Sequence, residues 1–246
     1  GGAGIDTISA DFSNRSEAFI WDLRADTYTG PGNYSGFERF NTLHTGSGND
    51  RIVTADLWIS DTIFTGAGDD IVVLKGGGDH ALGGDGNDTL ELDFAGQAAN
   101  VSVITTHPPL MVYGVPGGQA STAGTVQAYF AEFEDYIVRT GSGSDYVQTD
   151  AGHDDIRTGD GNDAIDAGAG DDFVDGGDGN DSIRSGSGND TVDGGAGIDL
   201  LSGGDGDDLY FVDTQLDLVY EYLDEGTDTV VASNGYYVWS YIEKLT

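Results

Sequence analysis

From Thr140 to Phe211 one apolar residue recurs every nine positions, always two places after an Asp, and most of the residues between are Gly, Asp, Asn or Ser. A nine-residue spacing is neither the 3.6 of a helix nor the simple alternation of a half-buried strand, so the unit is a repeat. Its form is x-G-x-G-x-D-x-U-x, with U apolar. Eight copies follow without a gap: TGSGSDYVQ, TDAGHDDIR, TGDGNDAID, AGAGDDFVD, GGDGNDSIR, SGSGNDTVD, GGAGIDLLS and GGDGDDLYF. A second array runs from Thr45 to Glu91, with TGSGNDRIV, a two-residue slip at Thr54 and Ala55, then DLWISDTIF, TGAGDDIVV, LKGGGDHAL and GGDGNDTLE; GGAGIDTIS opens the chain. The eighth position is Ile, Val or Leu in every copy except those with Ala81 and Tyr210.

The first six residues of each copy carry too much Gly and Asp for a strand or a helix, and Gly at the second and fourth positions permits the positive φ that a tight turn needs. The last three, x-U-x, suffice for a short strand with U pointing inward. Nine residues therefore predict half a coil, and two copies predict one full coil of a flattened all-β solenoid with turns along both edges. Turns of copies n and n+2 then stack about 4.8 Å apart. One inward side chain per copy makes a thin core.

Two segments interrupt the repeats, roughly Ala10 to His44 and Leu92 to Arg139, and they share landmarks: "SADFS" with "ELDFA", and "FERFNTLHTGSGND" with "FEDYIVRTGSGSD". Stretches such as "VSVITT" and "MVYGV" read as strands and loops. The expected organisation is 1–44, a nonapeptide plus a strand-rich insert; 45–91, a first β-roll array; 92–139, a second strand-rich insert; 140–211, a second array; and 212–246, a strand-rich C-terminal cap over the open end of the stack. Both ends fall inside recognisable motifs, so a piece of a longer protein is expected. The aromatics of the inserts (Trp21, Tyr28, Tyr34, Phe37, Phe40, Tyr113, Tyr129, Phe130 and Phe133) are expected to pack as core or cap rather than to stack on sugars.

Charge sharpens this picture. The chain has a formal net charge of -35 from 44 acidic and 9 basic residues, and 36 of the acids are Asp. Such a balance excludes nucleic acid and anionic membrane surfaces as partners and makes a cation the natural counter-charge. With no Cys there is neither a disulfide framework nor a thiolate metal site. No apolar run reaches membrane-spanning length, so membrane insertion is not expected. The histidines, at positions 44, 80, 107 and 153, show no metal-site spacing and read as ordinary loop residues.

All fourteen copies keep Asp at the sixth position: Asp6, Asp50, Asp61, Asp70, Asp79, Asp88, Asp145, Asp154, Asp163, Asp172, Asp181, Asp190, Asp199 and Asp208. Carboxylates stacked at one strand spacing repel by about 1 kcal/mol per pair even at water-like screening. Ca²⁺ between two turns turns that repulsion into coordination, because it takes 6 to 8 oxygens and accepts carboxylates and carbonyls together. The candidate ligands are these fourteen Asp, with the turn residues Gly159, Asp160, Gly161, Gly168, Gly170, Gly177, Asp178, Gly179, Gly186, Gly188, Gly195, Gly197 and Asp205. DLWISDTIF lacks both turn glycines and LKGGGDHAL has Lys75 at its second position, so turns using Asp61 or Asp79 are expected to bind weakly or not at all. One ion per same-edge pair gives about six ions for the long array and about three for the short one.

These nonapeptides resemble the repeats-in-toxin (RTX) haemolysin-type calcium-binding repeats. The resemblance implies a parallel β-roll, export in an unfolded state through a one-step (type I) bacterial secretion channel, and folding on meeting extracellular Ca²⁺. It thus implies a secreted or surface protein whose partners are calcium and the rest of a larger parent. The stretch is read as non-catalytic: no EF-hand loop, G-x-S-x-G or H-E-x-x-H occurs, and no strand-loop-helix unit follows the G-x-G pieces. Two alternatives stand beside it, an adhesin or carbohydrate-binding module using the inserts to hold a glycan or other surface ligand, and an accessory domain of a secreted hydrolase or epimerase.

Overall fold

A computed structural model describes residues 5–30, 34–55, 60–105, 111–112, 115–233, 236 and 242–245. Strands and turns make up all of it; no helix occurs among the described residues. Tyr113, His107, the first four positions of DLWISDTIF and, in the expected C-terminal cap, residues 234–235, 237–241 and 246 lie outside them.

The chain divides into two compact units, one of residues 1–93 and 105–135, the other of 94–104 and 136–246, so the second insert contributes to both. In the second unit, one parallel sheet runs in the order Val101–Ile104, Tyr146–Gln148, Ala164–Ala169, Ser182–Ser187, Leu200–Asp205 and Leu218–Val219. Its other sheet orders Asp135–Arg139, Asp155–Arg157, Phe173–Asp175, Thr191–Asp193, Leu209–Val212, Thr229–Ala232 and Lys244–Leu245. The register is set by the eighth position: Ile165 pairs with Ile183 and that with Leu201, while Ile156 pairs with Val174, then Val192, then Tyr210. Each step is eighteen residues, two nonapeptides per coil, which makes the unit a parallel β-roll.

The first unit repeats the plan. Thr7–Asp11, Arg39–His44, Thr62–Ala67, Asp79–Asp85 and Thr125–Ala131 form a parallel run that ends on the antiparallel strand Gly118–Thr122. Thr89–Asp93, Ile71–Leu74, Arg51–Val53 and Ile20–Asp22 form the other, ending on the antiparallel Thr27–Thr29. The inserts thus supply strands and hairpins to the sheets.

The eighth-position side chains form the core. Ile52, Ile63, Val72, Leu90, Val147, Ile156, Val174, Val192, Leu201 and Tyr210 are buried, and Ile8, in the first coil, is half-buried. Phe19, Trp21 and Phe40 are buried as well, and Trp21 packs against Tyr28, Tyr34 and Phe40 with ring centroids 4.8, 5.4 and 5.0 Å apart.

Two expectations need correction. Strands of three residues hold for some copies, such as Tyr146–Gln148, Asp155–Arg157 and Phe173–Asp175, but Ala164–Ala169 and Ser182–Ser187 run into the next turn, because Gly168 and Ala169 keep pairing with Gly186 and Ser187. His44 and His80 are not loop residues: they end Arg39–His44 and begin Asp79–Asp85, against Phe64 (4.5 Å, stacked) and Tyr129 (4.9 Å).

Candidate metal-binding turns

The sixth-position aspartates build a ladder of their own. In each turn the Asp backbone N–H donates to the Oδ1 of the Asp one coil further on: Asp145 to Asp163, Asp163 to Asp181 and Asp181 to Asp199 along one edge, Asp154 to Asp172, Asp172 to Asp190 and Asp190 to Asp208 along the other, all at 2.7–2.9 Å. In the first unit Asp50, Asp70 and Asp88 form the same chain on one edge, and Asp61 and Asp79 on the other. From Asp50 to Asp208 these thirteen side chains are no more than 3% exposed. Asp6 is half-buried, and its N–H goes to Glu38 Oε2 at 2.9 Å.

The second carboxylate oxygen is the telling one. Oδ2 of Asp50, Asp70, Asp79, Asp88, Asp145, Asp163, Asp172, Asp181, Asp190, Asp199 and Asp208 is buried with no hydrogen-bond partner. In several copies the first-position hydroxyl lies near the carboxylate, as Thr158 does to Asp163 and Ser185 to Asp190. A hydroxyl has one proton, however, and these spend it on the first-position carbonyl of the next coil, Thr158 on Gly176 at 2.9 Å and Ser185 on Gly203 at 3.3 Å.

The candidate glycines define the turn backbone. Asp178 donates to the carbonyl of Gly159 (2.8 Å) and Ala196 to that of Gly177 (2.7 Å), while Gly161 donates to the carbonyl of Asp178 and Gly188 to that of Asp205, both at 2.7 Å. Each carbonyl so used keeps a second lone pair. At Gly179, φ is +155° and an added Cβ would overlap the Gly161 carbonyl oxygen; Gly197 stands the same way over Gly179. Gly168, Gly170, Gly186 and Gly195 share this positive-φ stacking. Asp160, Asp178 and Asp205 are exposed, in contrast to the buried sixth-position Asp.

The copy with Lys75 differs in kind. Lys75, its side chain 10% exposed, is ion-paired with Asp93, and on the same copy's edge Arg39 donates to the carbonyl of Ser60 at 3.0 Å. Cationic side chains therefore border the turns of Asp61 and Asp79.

The ladder also reaches residues outside the repeats. Glu134 Oε2 accepts from Asp88 N at 2.8 Å, Asp217 Oδ1 from Asp199 N at 3.1 Å and Asp228 Oδ1 from Asp208 N at 3.0 Å. The signal for them was an acid two places before an apolar residue, as in Glu38-Arg39-Phe40, Glu134-Asp135-Tyr136 and Asp228-Thr229-Val230. A second, exposed ladder runs through the fifth position, where Asn180 N donates to Asn162 Oδ1 and Ile198 N to Asn180 Oδ1, at 2.8 and 2.9 Å. The recurrent Asn before the sixth-position Asp marked it.

Burial makes these carboxyls reluctant anions. It pushes Asp79 up to about 8, Asp61, Asp70, Asp172, Asp181 and Asp208 to about 7, and Asp88 and Asp199 to about 6, with neighbouring carboxylates adding to the rise at Asp70, Asp79, Asp181 and Asp208. An unpaired buried charge costs several kcal/mol, so each turn calls for protons or a cation. Among the described residues no three His, Asp or Glu side chains converge on one point. The donor set on offer is thus carboxylates in small number plus backbone carbonyls, all oxygen, which suits Ca²⁺ and not a thiophilic or imidazole-seeking metal.

The profile of the RTX calcium-binding nonapeptide repeat (4 copies) matches residues 35–56, 60–81, 75–93, 139–174, 148–183, 158–192 and 184–219, together more than half of the chain. No curated protein matches it. With the repeat, its parallel roll and its oxygen-lined turns in agreement, this chain belongs to the RTX family of calcium-binding nonapeptide repeat proteins.

Proposed function

We propose that this chain is a non-catalytic, calcium-loaded spacer of an exported bacterial protein, folding as it takes up Ca²⁺ and holding a larger parent rigid outside the cell. The observation that carries the reading is the row of buried Oδ2 atoms without a donor, repeated coil after coil. The sixth-position Asp from Asp50 to Asp208 supply the charged oxygens, and the turn carbonyls, among them those of Gly159, Gly161, Gly177 and Gly179, supply the neutral ones. Turns at Asp61 and Asp79, bordered by Arg39 and Lys75, contribute least.

Coupling of metal to folding follows from the thin core. A chain of net charge -35 with one inward apolar residue per nonapeptide gains too little from burial to hold stacked carboxylates together, so binding energy is folding energy. Extracellular calcium modules work at about 10⁻⁴ to 10⁻³ M, which leaves such a chain unfolded inside a cell and folded outside it. The buried Phe19, Trp21 and Phe40 offer a glycan no exposed platform. Native mass spectrometry tests the reading: several Ca²⁺ per chain, about nine, are expected, and a chain carrying one or none at millimolar calcium refutes it.

A further inference from the structure

The residues after Phe211 contain no nonapeptide, yet Glu221 to Val230 turn as a repeat does. Asp208 N donates to Asp228 Oδ1 at 3.0 Å, as Asp190 N does to Asp208 at 2.8 Å. Gly206 N donates to the carbonyl of Glu225 at 2.6 Å, the counterpart of Gly188 to Asp205 at 2.7 Å. Thr227 N donates to Asp207 Oδ1 at 2.9 Å, the counterpart of Asn189 to Asp171 at 2.7 Å. Gly226 sits against the Gly206 carbonyl as each fourth-position glycine sits against the one before it. Residues 225–230, "EGTDTV", are therefore the second half of a repeat whose first half has been lengthened, with Asp224 at φ +69°.

What stands in the altered half is an acid. Glu221 lies eighteen residues after Gly203, where the eight copies of the long array have Thr, Ser, Ala or Gly, and it is 2% exposed. Its Oε1 accepts from Gly203 N at 3.2 Å and from the hydroxyl of Tyr210, the one Tyr at an eighth position. Its Oε2 is buried without a partner, and so is Oδ2 of Asp208, which fills the space beside Gly203 that a Cβ would take. Two carboxylates thus meet at one glycine, each with an oxygen that no donor serves. On the opposite edge the stack ends differently: Asp217 Oδ2 accepts from the N–H groups of Asp213 and Thr214 at 3.2 and 3.1 Å, so that acid is satisfied by backbone alone.

We propose a further calcium site between the last nonapeptide turn, Gly203–Asp208, and the degenerate turn Glu221–Asp228, with Asp208 and Glu221 as its charged ligands. It rests on the reading of the repeat turns as calcium sites and adds one ion beyond what the nonapeptides count. Glu221 in this role gives the site a ligand no repeat turn has, and the tyrosine hydroxyl fixes that carboxylate in place. The rival occupant is a proton shared between the two acids.

The test is calcium counted per chain by native mass spectrometry on the full chain, wild type beside Glu221→Gln and Glu221→Ala. Each variant is expected to carry one ion fewer than wild type. An unchanged count overturns this site while leaving the repeat turns as they are; a wild type without calcium overturns both. Should a variant fail to fold, a calcium anomalous map of the wild-type crystal decides: density beside Gly203, between Asp208 and Glu221, supports the site, and density confined to the nonapeptide turns overturns it.

Discussion

Replacing Asp181 by Ala tests the idea that each interior aspartate serves two turns. Asp181 Oδ1 accepts the Asp163 N–H at 2.9 Å, its own N–H donates to Asp199 at 2.9 Å, and it is 2% exposed. Truncation strands the buried Asp163 N–H, which costs about 1–3 kcal/mol. It also removes a carboxylate from the turn pairs on both sides. At calcium one hundred times Kd each ion contributes about 2.7 kcal/mol, so losing two costs about 5 kcal/mol. The expected total is about 6–8 kcal/mol. Asp6 is half-buried and its N–H goes to Glu38 rather than to an Asp of a following nonapeptide, and Asp6→Ala is expected to cost about 1 kcal/mol or less. Urea midpoints at fixed calcium read the difference. Asp181→Asn, which keeps an acceptor for Asp163 but not the charge, isolates the metal part. Equal midpoints for Asp6→Ala and Asp181→Ala would refute shared ligation.

Much of this architecture was legible because the physics of the repeat is local. A glycine that must take positive φ, an Asp two places before an apolar residue and a period of nine dictate turn, ligand and core together, which is why Ile165, Ile183 and Leu201 stand in register as the spacing demands. The extensions were harder to read. Glu134, Asp217 and Asp228 join the ladder by tertiary stacking, with no turn glycines around Glu134 or Asp217 to announce it. The third-position Asp160, Asp178 and Asp205 stand in the same turns as the buried sixth-position Asp but are exposed, a difference composition alone does not carry. Hydrogen bonding also carried pairing past the x-U-x strands, since the parallel ladder tolerates Gly168 and Gly186 at positive φ when both share it.

Two further outcomes are expected. Gly179→Ala drives a Cβ into the Gly161 carbonyl at a φ of +155°, and should lower the thermal midpoint well beyond the roughly 1–2 kcal/mol of a left-handed residue alone; Gly96→Ala, with nothing within 4 Å, should leave it unchanged. The raised carboxyls set a pH dependence whose sign is fixed: the folded, metal-free turns hold protons that the unfolded chain releases near 4, so stability without calcium is present at low pH and lost as pH rises through about 6 to 8. Protons then compete with the metal, and calcium midpoints followed by circular dichroism should rise as pH falls from 8 to 6; a midpoint that falls over that range contradicts the assignment.

The central claim is that ions between successive turns hold together a roll whose apolar core is too thin to do so. Far-ultraviolet circular dichroism of the chain at pH 8, with millimolar calcium and then with excess chelator, addresses it directly. The account predicts a β spectrum with calcium, an unordered spectrum with chelator, and full recovery on adding calcium back. A β spectrum that survives chelation at that pH would contradict it.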